Sequence, residues 1–233
     1  MPEPANVLVI GGTSGIGRAI AASYVANGAV VTVAGRSADR SQQVAEALGD
    51  GCRGLAVDVS KPDQVADALA GVGKVSRLIL TAVGAGENSI GAFDTAVATE
   101  LATVKLVGYP AVIAALQDRF QGDTSILVLG GNAMDKPFPG SLSLTSVNGG
   151  VARMVVALAV ELAPRRVNAI HPGVVVDTPS WKDAPSDFLA SVKESTPTGE
   201  HVTTAEIADA AVALLENKAI TGQNLRVDGG SGL

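Results

Sequence analysis

Short runs of Val, Ile, Leu and Ala recur along the chain, each without polar alternation and each followed by a stretch with helical spacing. A strand with one wet face alternates, so unbroken apolar runs mark strands covered on both faces, as in a parallel sheet. The runs predict strands at Asn6–Ile10, Ala29–Ala34, Gly54–Val57, Arg77–Ala82, Ser125–Leu129, Val167–His171 and Asn224–Val227. Helices are expected near Gly15–Asn27, Asp39–Leu48, Pro62–Ala70, Asp94–Phe120, Ser143–Ala163 and Thr204–Glu216. Strand and helix in regular succession predict an α/β fold, a doubly wound parallel sheet of about seven strands with helices on both faces and right-handed crossovers.

The pattern is least regular from Pro172 to His201, where prolines and Trp181 interrupt it. That segment, around 172–201, reads as an excursion over the sheet edge, where long connections cover ligands. No linker, charge block or repeat divides the chain, which reads as a single domain, 1–233. The segment Val151–Leu162 is apolar nearly all round, broken by Arg153 and Glu161. Either a second subunit covers it, giving a homodimer or homotetramer, or it is tucked between sheet and neighbouring helix in a monomer.

Composition narrows the functions. The chain has 233 residues, 47% of them hydrophobic, and a net charge of -6, so it can bury a core and offers no basic face to a nucleic acid. A single cysteine, Cys52, excludes a disulfide framework, and two histidines, His171 and His201, are too few for most metal clusters, so no metal is expected. The start of the chain, Met1–Ala5, has no basic region, and Val7–Ile10 is too short to be a signal or to span a membrane. A soluble, cytoplasmic protein acting on a small molecule is the expectation. Aromatics are scarce, and any chemistry needing a phenol has two candidates, Tyr24 and Tyr109.

One motif carries chemistry. Val7-Leu8-Val9-Ile10 runs straight into Gly11-Gly12-Thr13-Ser14-Gly15-Ile16-Gly17, which opens a helix. Gly11 permits a tight turn, Gly15 lets backbone approach a pyrophosphate, and Gly17 lets helix and strand pack closely, with the helix N-terminus facing the anion. Cofactor choice is read at the end of the second strand. An acidic residue there would bind a ribose 2′-hydroxyl and select NAD(H), but the sequence has Gly35-Arg36-Ser37. A guanidinium and a hydroxyl suit a 2′-phosphate, which favours NADP(H) over NAD(H); the other reading of Arg36 is a solvated surface charge.

The spacing Gly-x-x-x-Gly-x-Gly resembles that of the short-chain dehydrogenase/reductase family. The likeness extends over essentially the whole chain, through Asp58-Val59, Arg166-Val167-Asn168, Pro172-Gly173 with Thr178 beyond, and Ile220-Thr221-Gly222-Gln223 leading to Val227-Asp228-Gly229-Gly230. It implies a Rossmann-type fold, with Thr13, Ser14 and Ile16 joining the glycines at the cofactor, Asp58 and Val59 flanking the adenine, and Pro172, Gly173 and Thr178 by the nicotinamide and phosphates. Ser14 stands where many NADP-preferring relatives carry a second basic residue. The family's Asn-Ala-Gly is Ala82-Val83-Gly84, which keeps the glycine, Gly84.

The catalytic half departs from the family. Its members use a Tyr-x-x-x-Lys pair, a Ser on the preceding loop and an Asn on the helix before. Aligned through Ala157–Pro164, the tyrosine position is Leu144, the lysine position Asn148 and the serine position Gly131, while Lys105 stands where the asparagine would be. Leucine cannot donate a proton and glycine has no side chain, so the usual relay is absent. Lysine and asparagine are exchanged between the two helices, and either Lys105 reaches the space of the missing lysine or it snorkels to solvent. His171 is either an acid/base beside Pro172-Gly173 or a strand-end histidine bonded to backbone. Asn132, Asp135 and Lys136 sit on the fifth-strand loop, and Ser141, Ser143 and Ser146 surround the next helix start, with Ser143 expected as its N-cap.

Three functions fit. The first is an NADP(H)-binding oxidoreductase with an atypical site formed by Lys105, His171 and Asn148, reducing an activated double bond more readily than an unactivated ketone. The second is a non-redox isomerase, lyase or cyclase on the same scaffold. The third is a catalytically inactive protein that senses NADP(H).

Overall fold

The switch point of a seven-stranded parallel sheet organises the molecule. In a computed structural model describing residues 4–84 and 86–233, the strands are β1 (Asn6–Ile10), β2 (Val30–Gly35), β3 (Cys52–Ala56), β4 (Val75–Leu80), β5 (Phe120–Leu129), β6 (Arg166–Pro172) and β7 (Asn224–Val227). Their order is β3-β2-β1-β4-β5-β6-β7, every pair parallel. The chain builds outward from β1 to β3, crosses back, and continues from β4, so a crevice opens beyond the carboxyl ends of β1 and β4.

The unbroken apolar runs split across two cores. Val7 and Val9 of β1 pack with Ile20 and Ala21 of α1 (Gly15–Ala26) and with Ile207, Ala211 and Leu215 of α8 (Thr204–Glu216). Leu8 and Ile10 face the other way, onto Tyr109 and Val112 of α5 (Tyr109–Leu116) and Val151 and Val155 of α6 (Leu142–Glu161). Each such side chain, taken fully out of water, contributes about 1.5–3 kcal/mol.

Three local departures from the sequence pattern matter. First, the long helix expected over Asp94–Phe120 is α4 (Thr95–Ala102), a π-helical turn over Thr103–Gly108, then α5. Pro110 explains the widening: it lacks an N–H and its ring crowds the carbonyl four residues back, at Leu106, and a wider turn relieves both. Second, the excursion after β6 contains α7 (Ser186–Ser195), which buries no residue; its short apolar face of Phe188, Leu189 and Val192 lies among polar residues just after Pro185. Third, β5 begins at Phe120, ahead of the polar, exposed Gly122–Asp123 that hides its start.

Residues 95–119 and Leu142–Glu161 are long and apolar enough to cross a membrane. In α6, Val147, Val151 and Val155 face inward, whereas Val156 and Val160 remain 43% and 76% exposed. At the amino edge of the sheet, Arg77 grips Glu216 through Nε and Nη2, both at 2.8 Å, and the Tyr24 hydroxyl donates to the same carboxylate at 2.7 Å. Arg166 closes the end of α8 by donating to the carbonyls of Leu214, Leu215 and Ile220.

Candidate functional site

The glycine-rich turn after β1 has the backbone that only glycine adopts freely, with φ of +86° at Gly11 and +47° at Gly15. The amides of Gly11 and Gly12 bond the Ala34 carbonyl at 2.8 and 3.1 Å, which fixes the turn against β2. A side chain at Gly17 would run into the Gly11 carbonyl and the Thr81 hydroxyl. Ser14 occupies the N-cap of α1 in extended conformation but makes no side-chain cap, so the amides of Gly15, Ile16 and Gly17 receive no side-chain acceptor. An uncapped helix N-terminus of this length, fronted by glycines, fits a pyrophosphate.

Around it stand the other residues expected at the cofactor. Thr13 packs against Gly35 at the end of β2. Arg36 is exposed just beyond, and Ser37 accepts the Arg40 amide at 3.3 Å as the cap of α2 (Ala38–Leu48). Asp58 accepts the Ser60 hydroxyl at 2.7 Å and the Ser60 amide at 3.1 Å. Although partial burial opposes it, these bonds, with Lys61 and Arg36 nearby, hold the Asp58 carboxyl below its usual range. Val59 is a core residue, Gly84 makes room for Leu101, and Gly173 lies under Asp228 and Ser231 just past Pro172, the last residue of β6. Thr178 donates to the Val175 carbonyl at 2.8 Å and brings its methyl group against Gly15. Beside the turn an open cleft of about 420 Å³ is ringed by Arg18, Arg40 and Lys182. Sequence reasoning missed these three cations; Arg18 and Arg40 each follow a recognised residue, Ser14 and Arg36, by one helical turn.

The residues expected at the reaction centre meet under the carboxyl edge of β5 and β6. Lys105, in the π-helical turn, is 3% exposed and does not snorkel. Its ammonium donates to the Gly130 carbonyl at 3.0 Å and to Asn148 Oδ1 at 2.9 Å. Burial alone lowers its pKa from 10.5 to about 8. Asn148, on α6, is 1% exposed. Gly131 is matched to it: a Cβ at Gly131 would stand 2.6 Å from Asn148 Nδ2. Leu144 is half-buried one turn earlier.

His171 joins this cluster as framework. It is fully buried, its Nδ1 accepts the Gly131 amide at 3.2 Å, and its Nε2 pairs with Asn224 Oδ1 at 2.9 Å. Those partners assign the proton to Nε2 and leave neither nitrogen free for a substrate. Burial, helped by the Lys105 charge, pushes its pKa down despite the two bonds, so the ring is neutral. Ser143 is not the N-cap of α6: Leu142 already begins the helix, and Ser141 holds the cap position, its hydroxyl accepting the Phe138 amide at 2.9 Å. Asn132, Asp135 and Lys136 tie the β5 loop to the end of the chain through Ser231 and Arg226. Neither phenol is free to act at the crevice. Tyr24 is bound to Glu216 at the opposite edge, and Tyr109 is fully buried, donating to the Ala82 carbonyl with its pKa pushed far up by burial.

Asn88, unremarked in the sequence, clamps the loops after β4 and β5. Its amide donates to the Gly140 carbonyl at 2.7 Å, and its side chain exchanges two bonds with the Asp94 backbone. These loops expose Ile90, Phe93 and Phe138, and in the excursion Trp181 stacks on Phe188 at 5.2 Å.

Comparison with known proteins places this geometry. The family model described as enoyl-(acyl carrier protein) reductase matches residues 11–232. The chain is 32% identical to glucose 1-dehydrogenase of Gluconobacter oxydans, over 97% of this chain and 91% of that protein. It is 31% identical to human 3-oxoacyl-[acyl-carrier-protein] reductase, over 95% of each. Among solved structures, 3-ketoacyl-(acyl-carrier-protein) reductase from Brucella melitensis, complexed with NADH, superposes with a TM-score of 0.87 at 27% identity, covering 99% of both chains.

Proposed function

The chain belongs to the short-chain dehydrogenase/reductase family, whose relatives are oxidoreductases, and on that premise we propose that it is an NADP(H)-dependent reductase with an atypical active site. The observation that carries this reading is the buried Lys105–Asn148 pair, held at 2.9 Å under the crevice beside Gly131. It puts a cation where no Tyr-x-x-x-Lys pair stands, in a fold whose uncapped α1 N-terminus is suited to a dinucleotide. Arg36, with no carboxylate at the end of β2, supports the 2′-phosphorylated form.

The bound nicotinamide supplies hydride; the protein contributes position and charge. The first-turn amides of α1 would hold its pyrophosphate. The Lys105 ammonium favours negative charge developing in the substrate, and His171, neutral and bonded at both nitrogens, keeps Gly131 and β6 in place. The exposed apolar side chains of Ile90, Phe93 and Phe138 suit a substrate with an apolar body. A soluble cytoplasmic enzyme fits, with no nucleic acid or membrane partner. The exposed Val156 and Val160 on α6 support a homodimer or homotetramer. Light scattering of the wild type and of Val160→Lys tests the assembly: the variant is expected to shift to a smaller species.

The central test is NADPH oxidation, followed at fixed protein against conjugated enones, enoyl thioesters and simple ketones, with Lys105→Ala beside the wild type. Turnover of the conjugated substrates, lost in the variant with NADPH affinity kept, is the expected result. Tight NADPH binding with no oxidation by any compound overturns the reading.

A further inference from the structure

We propose that the side-chain amide of Asn148 is the group that holds the substrate's carbonyl oxygen, so that a conjugated carbonyl compound is reduced through an enolate held at this amide, with the new proton placed on carbon. The proposal rests on the reductase reading above and adds the atom that meets the substrate.

Three observations lead to it. Lys105 can only donate, so the oxygen of the Asn148 amide faces it, at 2.9 Å, and the nitrogen points the other way. That nitrogen has no acceptor among the described residues, although Asn148 is only 1% exposed. It also lies 2.6 Å from where a Gly131 side chain would begin, so it fills the direction in which the resemblance would put a substrate-orienting serine. A nearly buried amide whose N–H groups meet no protein acceptor is placed to donate to a ligand. The ammonium on its oxygen polarises it and strengthens its donation.

An amide is a donor that does not surrender its proton. It can stabilise an oxyanion but supplies no proton of its own, so the proton must come from water. In a conjugated substrate, hydride arrives at the β-carbon and forms a C–H bond there. The C=C electron pair moves to the α-carbon and on to the carbonyl oxygen, giving an enolate held by Asn148. Water then delivers a proton to the α-carbon, the C=O bond re-forms, and hydroxide leaves to the solvent. The sum is one reduced nicotinamide and one proton consumed per double bond saturated.

The test uses the wild-type protein labelled with ¹⁵N-asparagine, saturated with NADP⁺ so that no turnover occurs, and titrated with crotonyl-pantetheine. The Asn148 side-chain proton signals, assigned by their loss in Asn148→Asp, should move downfield. No movement at the highest soluble probe concentration overturns the proposal. In parallel, Asn148→Asp keeps a partner for Lys105 and removes both N–H groups. With NADPH and crotonyl-pantetheine, kcat should fall by about 10²-fold or more while NADPH affinity holds; undiminished kcat overturns the proposal. A downfield shift in a wild type that never oxidises NADPH supports the amide contact while refuting the reductase reading, so the two fail separately.

Discussion

Replacing Lys105 by methionine should change how stability depends on pH. Burial lowers the ammonium from 10.5 to about 8, with no ion pair offsetting it. The folded protein therefore loses this proton at lower pH than the unfolded chain does, and between the two values the unfolded state binds more protons. Stability must rise with pH across that window, and the cost is fully present only below the folded value. At about 1.36 kcal/mol per pKa unit, the charged form costs the native state on the order of 3 kcal/mol near pH 7. Between about pH 7 and about pH 9.5, roughly 2 kcal/mol of this is relieved. Methionine leaves the Gly130 carbonyl and Asn148 Oδ1 without their donor, at about 1–3 kcal/mol each, so the absolute stability at one pH decides nothing. The slope does. Urea unfolding across that range, extrapolated to water, should show the wild type gaining about 2 kcal/mol more than Lys105→Met. Other lysines and the tyrosines titrate alike in both proteins and cancel. Parallel curves would refute the reasoning, because they require a Lys105 ammonium as comfortable inside the protein as in water.

Further outcomes follow from other groups. Arg36→Ala should raise the dissociation constant for NADPH about 10- to 100-fold, through loss of a charge-assisted bond, and leave that for NADH within about twofold, as read by calorimetry. Gly131→Ser, which restores the family's serine, should lower activity instead of raising it, since its Cβ would stand 2.6 Å from the Asn148 amide; kcat with crotonyl-pantetheine is the measurement. The hydrogen bond from Arg77 keeps the Glu216 carboxyl below 4.5, so its stabilisation is present above that value and lost as pH falls through the lower folded value. Glu216→Gln should accordingly flatten the acid limb of melting temperature against pH.

The turn after β1 was legible because its requirements are local. A tight turn, a close backbone approach and close helix–strand packing each demand a glycine at a fixed offset, and Gly11, Gly15 and Gly17 display them in the sequence. The exchange of Lys105 and Asn148 was also visible, as two departures from one pattern. Their meeting was not, because it depends on the wide turn at Thr103–Gly108, and a proline after a helical run does not announce whether the helix ends, kinks or widens. His171 was ambiguous for a related reason. Its role depends on which groups face its two nitrogens, and Asn224 and the Gly131 amide come from distant segments. Ser143 was misplaced by one turn of reasoning about caps: a serine near a helix start is only a candidate until the first helical residue, here Leu142, is known.

The fit of Gly131 to Asn148 also bears on how such a sequence can change. A serine at 131 collides with the amide at 148, a lysine at 148 would meet the ammonium already held from 105, and a tyrosine at 144 would lack the partner that tunes it. Single changes at 131 or 148 therefore each meet a group already in place, and the two positions are coupled to Lys105. Residues 105, 131 and 148 thus form one steric and electrostatic unit, in which a change at one position is felt at the other two.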